Sequence, residues 1–114
     1  DGTCIRDFIN VVDLSRAHVH AIDRLLKGEN EKPYEFFNVG TGVGVSVMEL
    51  VKTFIDVNAI DLKYRIAERR AGDIVKIYAD TSKANRVLGW KAEKTLAETL
   101  ASAWRWEKKY RGIK

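Results

Sequence analysis

The sequence predicts an α/β fold, and three observations support that class. Short apolar runs of strand length alternate with stretches of helical apolar spacing over residues 5–67. Hydrophobic residues make up 46% of the 114 positions, enough for the core of one domain. No interior linker, repeat or low-complexity tract divides the chain.

The first half of the chain predicts two strand–helix units. Residues 5–9 (IRDFI) have the composition of a short strand, and Asn10 is a suitable cap for a helix that Gly28 ends. Residues 34–40 (YEFFNVG) predict a buried strand. A second helix begins at Ser46, which has the capping-box spacing to Glu49. This alternation favours parallel pairing of the strands.

The second half predicts a less regular lobe. Residues 61–67 (DLKYRIA) alternate apolar and polar side chains as a strand does, and residues 75–79 (VKIYA) are compatible with a strand or an extended loop. Asp80 can cap a short helix over residues 81–88, which Gly89 ends. Thr95 and Glu98 repeat the capping-box spacing and open the last helix.

Composition argues against several classes of partner. The net charge of +4 is small and its signs are mixed, so a nucleic-acid partner is not expected. No apolar run approaches the roughly 20 residues of a membrane helix, so no membrane partner is expected either. The single cysteine, Cys4, allows no internal disulfide and fits a reducing, cytoplasmic setting. Two histidines and one cysteine give no metal-ligand pattern.

Three features invite a functional interpretation that their spacing does not support. The glycine-rich stretch NVGTGVGVS, residues 38–46, has neither the dinucleotide G-x-G-x-x-G pattern nor a Walker lysine, so a tight strand-to-helix turn is favoured over a phosphate loop. His18 is expected in the core and His20 in solvent. The tryptophans are expected mainly in packing roles: Trp90, Trp104 and Trp106.

Arg6 and Arg70 are the better candidates for binding an anion. Arg6 lies in an apolar strand opening, and Arg70 lies in the loop RRAGDI beside Gly72, which allows close backbone approach. Guanidinium groups bind phosphate oxygens in a bidentate fork, so the two arginines could converge on a diphosphate. Spacing alone leaves open the alternative that both are solvated charges.

Four stretches resemble, in order and spacing, the C-terminal part of the UDP-glucose 4-epimerase (UDP-galactose 4-epimerase) family of extended short-chain dehydrogenases/reductases: DGTCIRDFINVVDLSRAHVHAI, NVGTGVGVSVMELV, RRAGDI and YADTSKANRVLGW. The resemblance implies the C-terminal portion of an extended Rossmann-type nucleotide-sugar epimerase, with a substrate-binding lobe and part of the parallel sheet. It covers essentially residues 1–114.

The resemblance also implies roles for single residues. Arg6 and Arg70 would contact the UDP diphosphate of a UDP-sugar, and Asp73 would lie by the ribose. The family interconverts UDP-glucose and UDP-galactose by oxidation and reduction at C4 on a bound NAD. The chain lacks the NAD fingerprint. The resemblance places the family's catalytic Tyr-x-x-x-Lys motif upstream of residue 1, so the one such spacing here, Tyr110 to Lys114, is not expected to be that motif. We therefore expect a substrate-side segment, inactive alone and without catalytic or NAD-binding residues, whose NAD-binding N-terminal part is absent from this chain.

Two alternatives remain at this point. One is a related enzyme, such as a nucleotide-sugar 4,6-dehydratase or a UDP-glucuronate epimerase. The other is a stand-alone small basic binding module, which would have a self-sufficient fold. A segment of a larger enzyme would instead leave apolar faces bare and is expected to self-associate. The surfaces concerned are the strands IRDFI and EFFNVG and two helix faces: Leu14, Ile22 and Leu25, and Leu50, Val51 and Phe54.

Overall fold

The computed structural model describes residues 1–113 as three long helices around a very small sheet. In chain order the elements are β1 (Ile5–Arg6), α1 (Val11–Leu26), β2 (Val45–Ser46), α2 (Val47–Asn58), a π-helical turn (Ala84–Leu88) and α3 (Leu96–Arg111). None of the helices within residues 1–113 combines the length and the apolar character that crossing a membrane requires.

The predicted helix starts are confirmed by hydrogen bonds. The Asn10 side chain accepts from the Val12 N–H at 2.8 Å and so caps α1. Ser46 Oγ accepts from the Glu49 N–H at the start of α2, and Thr95 Oγ1 does the same for the Glu98 N–H at the start of α3, both at 3.1 Å. Each bond satisfies a backbone donor that has no partner within its helix.

The predicted short helix over residues 81–88 is a π-helical turn at Ala84–Leu88, preceded by a brief α-helical start. Asp80 Oδ1 accepts from the Ser82 N–H at 3.1 Å, as a cap does. The turn ends at Gly89, whose φ of 63° is left-handed. That conformation suits glycine because it has no Cβ.

β1 lies between two neighbouring segments and bonds to both. It pairs antiparallel with β2, where Ile5 faces Ser46 and Arg6 faces Val45. On its other side it makes one parallel bridge to Lys76, through bonds from Ile5 N–H to the Val75 carbonyl at 2.9 Å and from Ile77 N–H to the Ile5 carbonyl at 3.0 Å. The antiparallel partner of β1 is thus a strand that the sequence did not predict, and the predicted strand over residues 34–40 does not pair with β1. Residues 75–77 do run parallel to β1.

Two predicted strands are not regular strands within residues 1–113. Residues 34–40 have no regular secondary structure, although exposed and half-buried side chains alternate from 34 to 39. Phe37 and Val39 pack on the core, whereas Tyr34 and Phe36 face solvent. Residues 61–67 are exposed throughout. Alternation is a property of one segment, but a strand also needs a neighbouring backbone to bond to. No neighbour among the described residues supplies it here.

The core is small and lies between α1 and the π-helical turn. Trp90 is 1% exposed and packs with Ala17 and Ala84, and its indole N–H donates to the Asp13 carbonyl at 2.9 Å. The buried Asp13 carboxylate accepts from the Glu93 and Lys94 N–H groups, which joins α1 to the start of α3. Burial would raise the pKa of Asp13, but these bonds and Arg16 together lower it.

Candidate functional site

The three residues singled out from the sequence border one cavity. Arg6 on β1 and two residues of the RRAGDI loop, Arg70 and Asp73, all line a space of about 450 Å³. Four arginines and three acidic residues contribute to its wall: Arg6, Arg65, Arg69, Arg70, Asp1, Glu68 and Asp73. The volume lies within the range of small-molecule sites, roughly 300–1,000 Å³. The chain fold thus joins segments that are far apart in sequence.

Arg6 is held rigidly at the edge of this cavity. Its Nη1 donates to the Ile74 carbonyl at 2.7 Å and to the Ile5 carbonyl at 2.8 Å, and the side chain is half-buried. Because a guanidinium has five N–H donors, these two bonds leave others free. Arg6 can therefore bind an anion without giving up its anchor to residue 74.

Arg70 is the more exposed of the two arginines that are candidates for binding a diphosphate. Its side chain is 85% exposed and makes two contacts of 3.3 Å with the Asp73 carboxylate, across a turn that Gly72 closes with a φ of 83°. Such an exposed pair contributes about 0–1 kcal/mol to stability. Arg70 can consequently exchange Asp73 for a stronger anionic partner at little cost, and Asp73 then becomes available to a hydroxyl group.

Arg69 is already engaged elsewhere. Its Nη2 donates to Thr3 Oγ1 at 3.0 Å and to Asp1 Oδ2 at 3.3 Å, and its side chain is 37% exposed. These contacts hold the loop against the segment that leads into β1. The geometry therefore separates the two neighbouring arginines, with Arg69 bound to the protein and Arg70 facing solvent.

The glycine-rich loop binds a carboxylate of the protein itself. The side chain of Asp7 accepts from the Thr41 N–H and hydroxyl at 2.9 and 2.7 Å, from the Gly42 N–H at 3.1 Å, and from the Ala79 N–H at 3.3 Å. Burial would raise the pKa of Asp7, but these hydrogen bonds outweigh it and lower the pKa. The loop is a structural turn, as the sequence favoured, and its anion-binding groups are occupied by Asp7.

The histidines are placed the other way round from the expectation. His18 is exposed, and its Nδ1 lies 2.8 Å from the Leu14 carbonyl. His20 is half-buried, and its Nδ1 lies 2.9 Å from the Leu88 carbonyl, so that nitrogen carries the proton and donates. The core side of α1 is set by Asp13 and Ala17, and position 20 falls on that side of the helix while position 18 does not.

Neither the aromatic residues nor the potential metal ligands within residues 1–113 form a second candidate site. Trp90 lies in the core and Trp104 packs edge-on against Phe54, as expected of packing residues, whereas Trp106 is exposed and stacks on Tyr110 at 5.0 Å. Within residues 1–113 there is no group of three or more side chains that could hold a metal ion. A larger groove, about 1040 Å³, runs between the start of α1 and α3, but it lacks the pair of candidate arginines.

The sequence did not predict that Asp7 connects the glycine-rich loop to residue 79. It also gave no role to Phe8 and Tyr64, two aromatic side chains that line the cavity. The available signal was an acidic residue directly after Arg6 inside an apolar strand. Its partners, Thr41 and Ala79, are 34 and 72 positions away, and no local pattern connects them.

A mixed helix-and-sheet segment with an arginine-lined cavity is what the resemblance to the extended short-chain dehydrogenases/reductases implies. Comparison with known proteins identifies specific relatives within that group. The chain is 47% identical over 107 residues to UDP-glucose 4-epimerase of Bacillus subtilis and 44% identical over 108 residues to that of Haemophilus influenzae. It is also 46% identical over 114 residues to a putative UDP-arabinose 4-epimerase of Arabidopsis thaliana. No protein-family model matches the chain.

Solved structures give the same result for the fold. The chain superposes with a TM-score of 0.90 and 38% identity on a UDP-glucose 4-epimerase from Stenotrophomonas maltophila with bound NAD and formylated UDP-arabinopyranose. The TM-score is 0.85 and the identity 43% for the Bifidobacterium longum enzyme in complex with NAD+ and UDP. Both matches cover 100% of this chain and 33% of the other.

The resemblance and the predicted fold class are therefore confirmed: this chain corresponds to the C-terminal part of UDP-glucose 4-epimerases. The matches to the Bacillus and Haemophilus proteins cover 94% and 95% of this chain but 31% of theirs. The chain thus spans about a third of the length of the curated relatives that it matches.

Proposed function

We propose that residues 1–114 are the substrate-side segment of an NAD-dependent enzyme that interconverts UDP-glucose and UDP-galactose at C4. In this proposal Arg6 and Arg70 bind the diphosphate of the UDP-sugar, and Asp73 lies by its ribose. The observation that carries the proposal is the convergence of these three residues on one cavity of about 450 Å³. The relatives' names support the substrate class.

The two arginines suit different parts of this task. Arg6 is a fixed donor, because its guanidinium is anchored to the Ile74 carbonyl. Arg70 is a mobile donor that gains a stronger partner when it leaves Asp73 for a phosphate. The diphosphate does not react, so its binding energy can hold the sugar in place during chemistry at C4.

The described residues do not fit NAD. The glycine-rich loop lacks the dinucleotide spacing, and its N–H groups at Thr41 and Gly42 already bond to Asp7. The one Tyr-x-x-x-Lys spacing in the sequence runs from Tyr110 to Lys114. Its tyrosine lies in α3, stacks on Trp106 and does not line the candidate cavity. We therefore assign NAD, and the hydride chemistry that it would supply, to an N-terminal part that lies outside this chain.

The bare surface supports a segment of a larger enzyme over an independent binding module. The radius of gyration is 17.1 Å, whereas a compact domain of this length has about 13 Å. Only four apolar residues within residues 1–113 are buried: Cys4, Ala17, Ala84 and Trp90. Much of the apolar surface on which an independent fold would rely is therefore left in solvent.

The cellular setting belongs to the same proposal. A role in galactose metabolism follows from the proposed substrates. A cytoplasmic location fits the single free cysteine, Cys4, because reducing compartments keep thiols unpaired.

Calorimetric titration of the chain with UDP and with uridine tests the proposal. We expect UDP to bind more tightly than uridine, and Arg6→Ala and Arg70→Ala to remove that difference. Added salt should weaken UDP binding more than uridine binding, because phosphate contacts are screened. Equal affinity for UDP and uridine in the unaltered chain would overturn the assignment of the diphosphate site.

A further inference from the structure

The Asp7 carboxylate connects the glycine-rich loop to the segment that follows the RRAGDI loop. Its oxygens accept two bonds from Thr41, one from Gly42 and one from Ala79. Thr41 and Gly42 belong to the glycine-rich loop, and Ala79 ends the extended segment that follows the RRAGDI loop. One side chain on the central segment thus bonds to the backbone on both of its flanks.

The glycine-rich loop packs closely against Asp7 at Gly40. A Cβ placed on Gly40 would lie 2.5 Å from Asp7 Oδ2 and 2.8 Å from the Ala79 Cβ. Real Cβ atoms do not approach other atoms so closely, so Gly40 is required for the loop to reach Asp7. The carboxylate and the loop are fitted to each other at this point.

Asp7 also lies next to Arg6, and the two side chains hold the same segment at opposite ends. Arg6 bonds to the Ile74 carbonyl at 2.7 Å, while Asp7 bonds to the Ala79 N–H at 3.3 Å. Between them, only the two backbone bonds of Ile5 tie residues 75–77 to β1. Asp73 directly precedes this segment. The register of residues 74–79 on β1 therefore sets the position of the RRAGDI loop relative to Arg6.

We infer that Asp7 is a positioning residue for the UDP-sugar site, acting through Arg6 and the loop that carries Arg70 and Asp73. The inference rests on the proposed function. Asp7 fixes the register of residues 74–79 on β1 and so keeps both arginines on one cavity. It does so by accepting backbone N–H bonds and makes no contact with the nucleotide.

Asp7→Asn is the sharpest test because it keeps the shape and removes one acceptor. Whichever way the amide turns, its NH2 group faces a backbone N–H, either that of Thr41 or those of Gly42 and Ala79. Asp13→Asn is the matched control. It is also a carboxylate held by two backbone N–H groups, but it lies outside the cavity.

We expect Asp7→Asn to weaken UDP binding about tenfold or more, as the loss of a charge-assisted hydrogen bond would. The affinity is measured by calorimetry at a temperature where circular dichroism shows each variant to be folded. Asp13→Asn should lower the melting temperature and leave UDP affinity unchanged. Amide NMR signals of residues 74–79 should move in Asp7→Asn without any ligand, and those in Asp13→Asn should not.

A milder pair of variants keeps the test decisive if Asp7→Asn does not fold. Thr41→Val removes one bond of 2.7 Å to Asp7, and Thr41→Ser retains the hydroxyl. We expect a few-fold loss of UDP affinity in the first and recovery in the second. If the unaltered chain binds UDP and neither Asp7→Asn nor Thr41→Val changes its affinity, Asp7 is not a positioning residue. If the unaltered chain does not bind UDP, the proposed function itself fails, while the ligand-free NMR shifts still report whether Asp7 sets the register.

Discussion

Replacing Arg70 by alanine should weaken UDP binding far more than replacing its neighbour Arg69. Arg70 is 85% exposed and its contacts with Asp73 are 3.3 Å long, so removing it costs the fold under about 1 kcal/mol. A charge-assisted bond to phosphate is worth about 1.5–3 kcal/mol, which is roughly 10- to 150-fold in affinity. The loss in Arg70→Ala therefore measures ligand binding, with little contribution from unfolding.

Arg69→Ala should show the opposite balance. Arg69 bonds to Asp1 and Thr3, so its loss should cost stability by about 0–1 kcal/mol and change UDP affinity by less than about threefold. Arg70→Lys should fall between the unaltered protein and Arg70→Ala, because lysine retains the charge but not the bidentate fork.

Calorimetric titration of UDP and uridine into each variant makes the comparison, both in the intact parent enzyme that we propose and in the 114-residue chain. Uridine is the control because it lacks the diphosphate, so its affinity should be the same in all four proteins. Equal losses of UDP affinity in Arg69→Ala and Arg70→Ala would refute the reasoning. So would an equal loss for uridine, since the arginine would then contact the nucleoside.

Four further predictions concern the ribose, acid stability, self-association and cofactor binding. Asp73→Ala should weaken UDP binding, and this penalty should shrink for 2′-deoxy-UDP or 3′-deoxy-UDP; an unchanged penalty for both analogues would argue against a ribose contact. The hydrogen-bonded Arg24 lowers the pKa of Glu35 from 4.5 to about 2, so this pair stabilises the fold fully above the ordinary pKa and less as the pH falls toward about 2. Urea unfolding across that window should show a flatter pH dependence in Glu35→Gln, and an unaltered slope would contradict the assignment. The isolated chain should self-associate through α1, where Ile22 and Leu26 are exposed, rather than through α2, where Phe54 packs against α3. Light scattering over a dilution series should show a monomer for Ile22→Glu and a larger species for the unaltered chain. A monomeric unaltered chain would count against this prediction. Finally, the chain alone should neither bind NAD nor convert UDP-galactose with NAD added, and turnover above a buffer control would contradict the proposed division of labour.

The helices are the part of this protein that the sequence determines by itself. Asn10, Ser46 and Thr95 each start a helix where the pattern predicts, because a cap is a bond between a side chain and a backbone group two or three residues away. Residue identity alone is also sufficient to select Arg6 and Arg70 as anion-binding candidates. These inferences depend on local chemistry and on the chemical nature of single side chains.

The sheet was decided only by tertiary structure. Residues 34–40 and 61–67 have the composition of strands, but a strand forms only when another backbone lies alongside, and none among the described residues does. The same applies to His18 and His20: both lie on an amphipathic helix, and which side faces the core depends on where Trp90 and the π-helical turn pack.

The meeting of Arg6 with Arg70 is likewise a tertiary result. The two residues are separated by 64 positions in the sequence, and what brings them to one cavity is the parallel segment beside β1, held by Ile5, Arg6 and Asp7. Long-range bonds of this kind leave no periodic trace in a single sequence, because each partner looks like an ordinary polar residue until the chain has folded. The sequence therefore determined which groups can bind a diphosphate, and the fold determined that they stand on the same cavity.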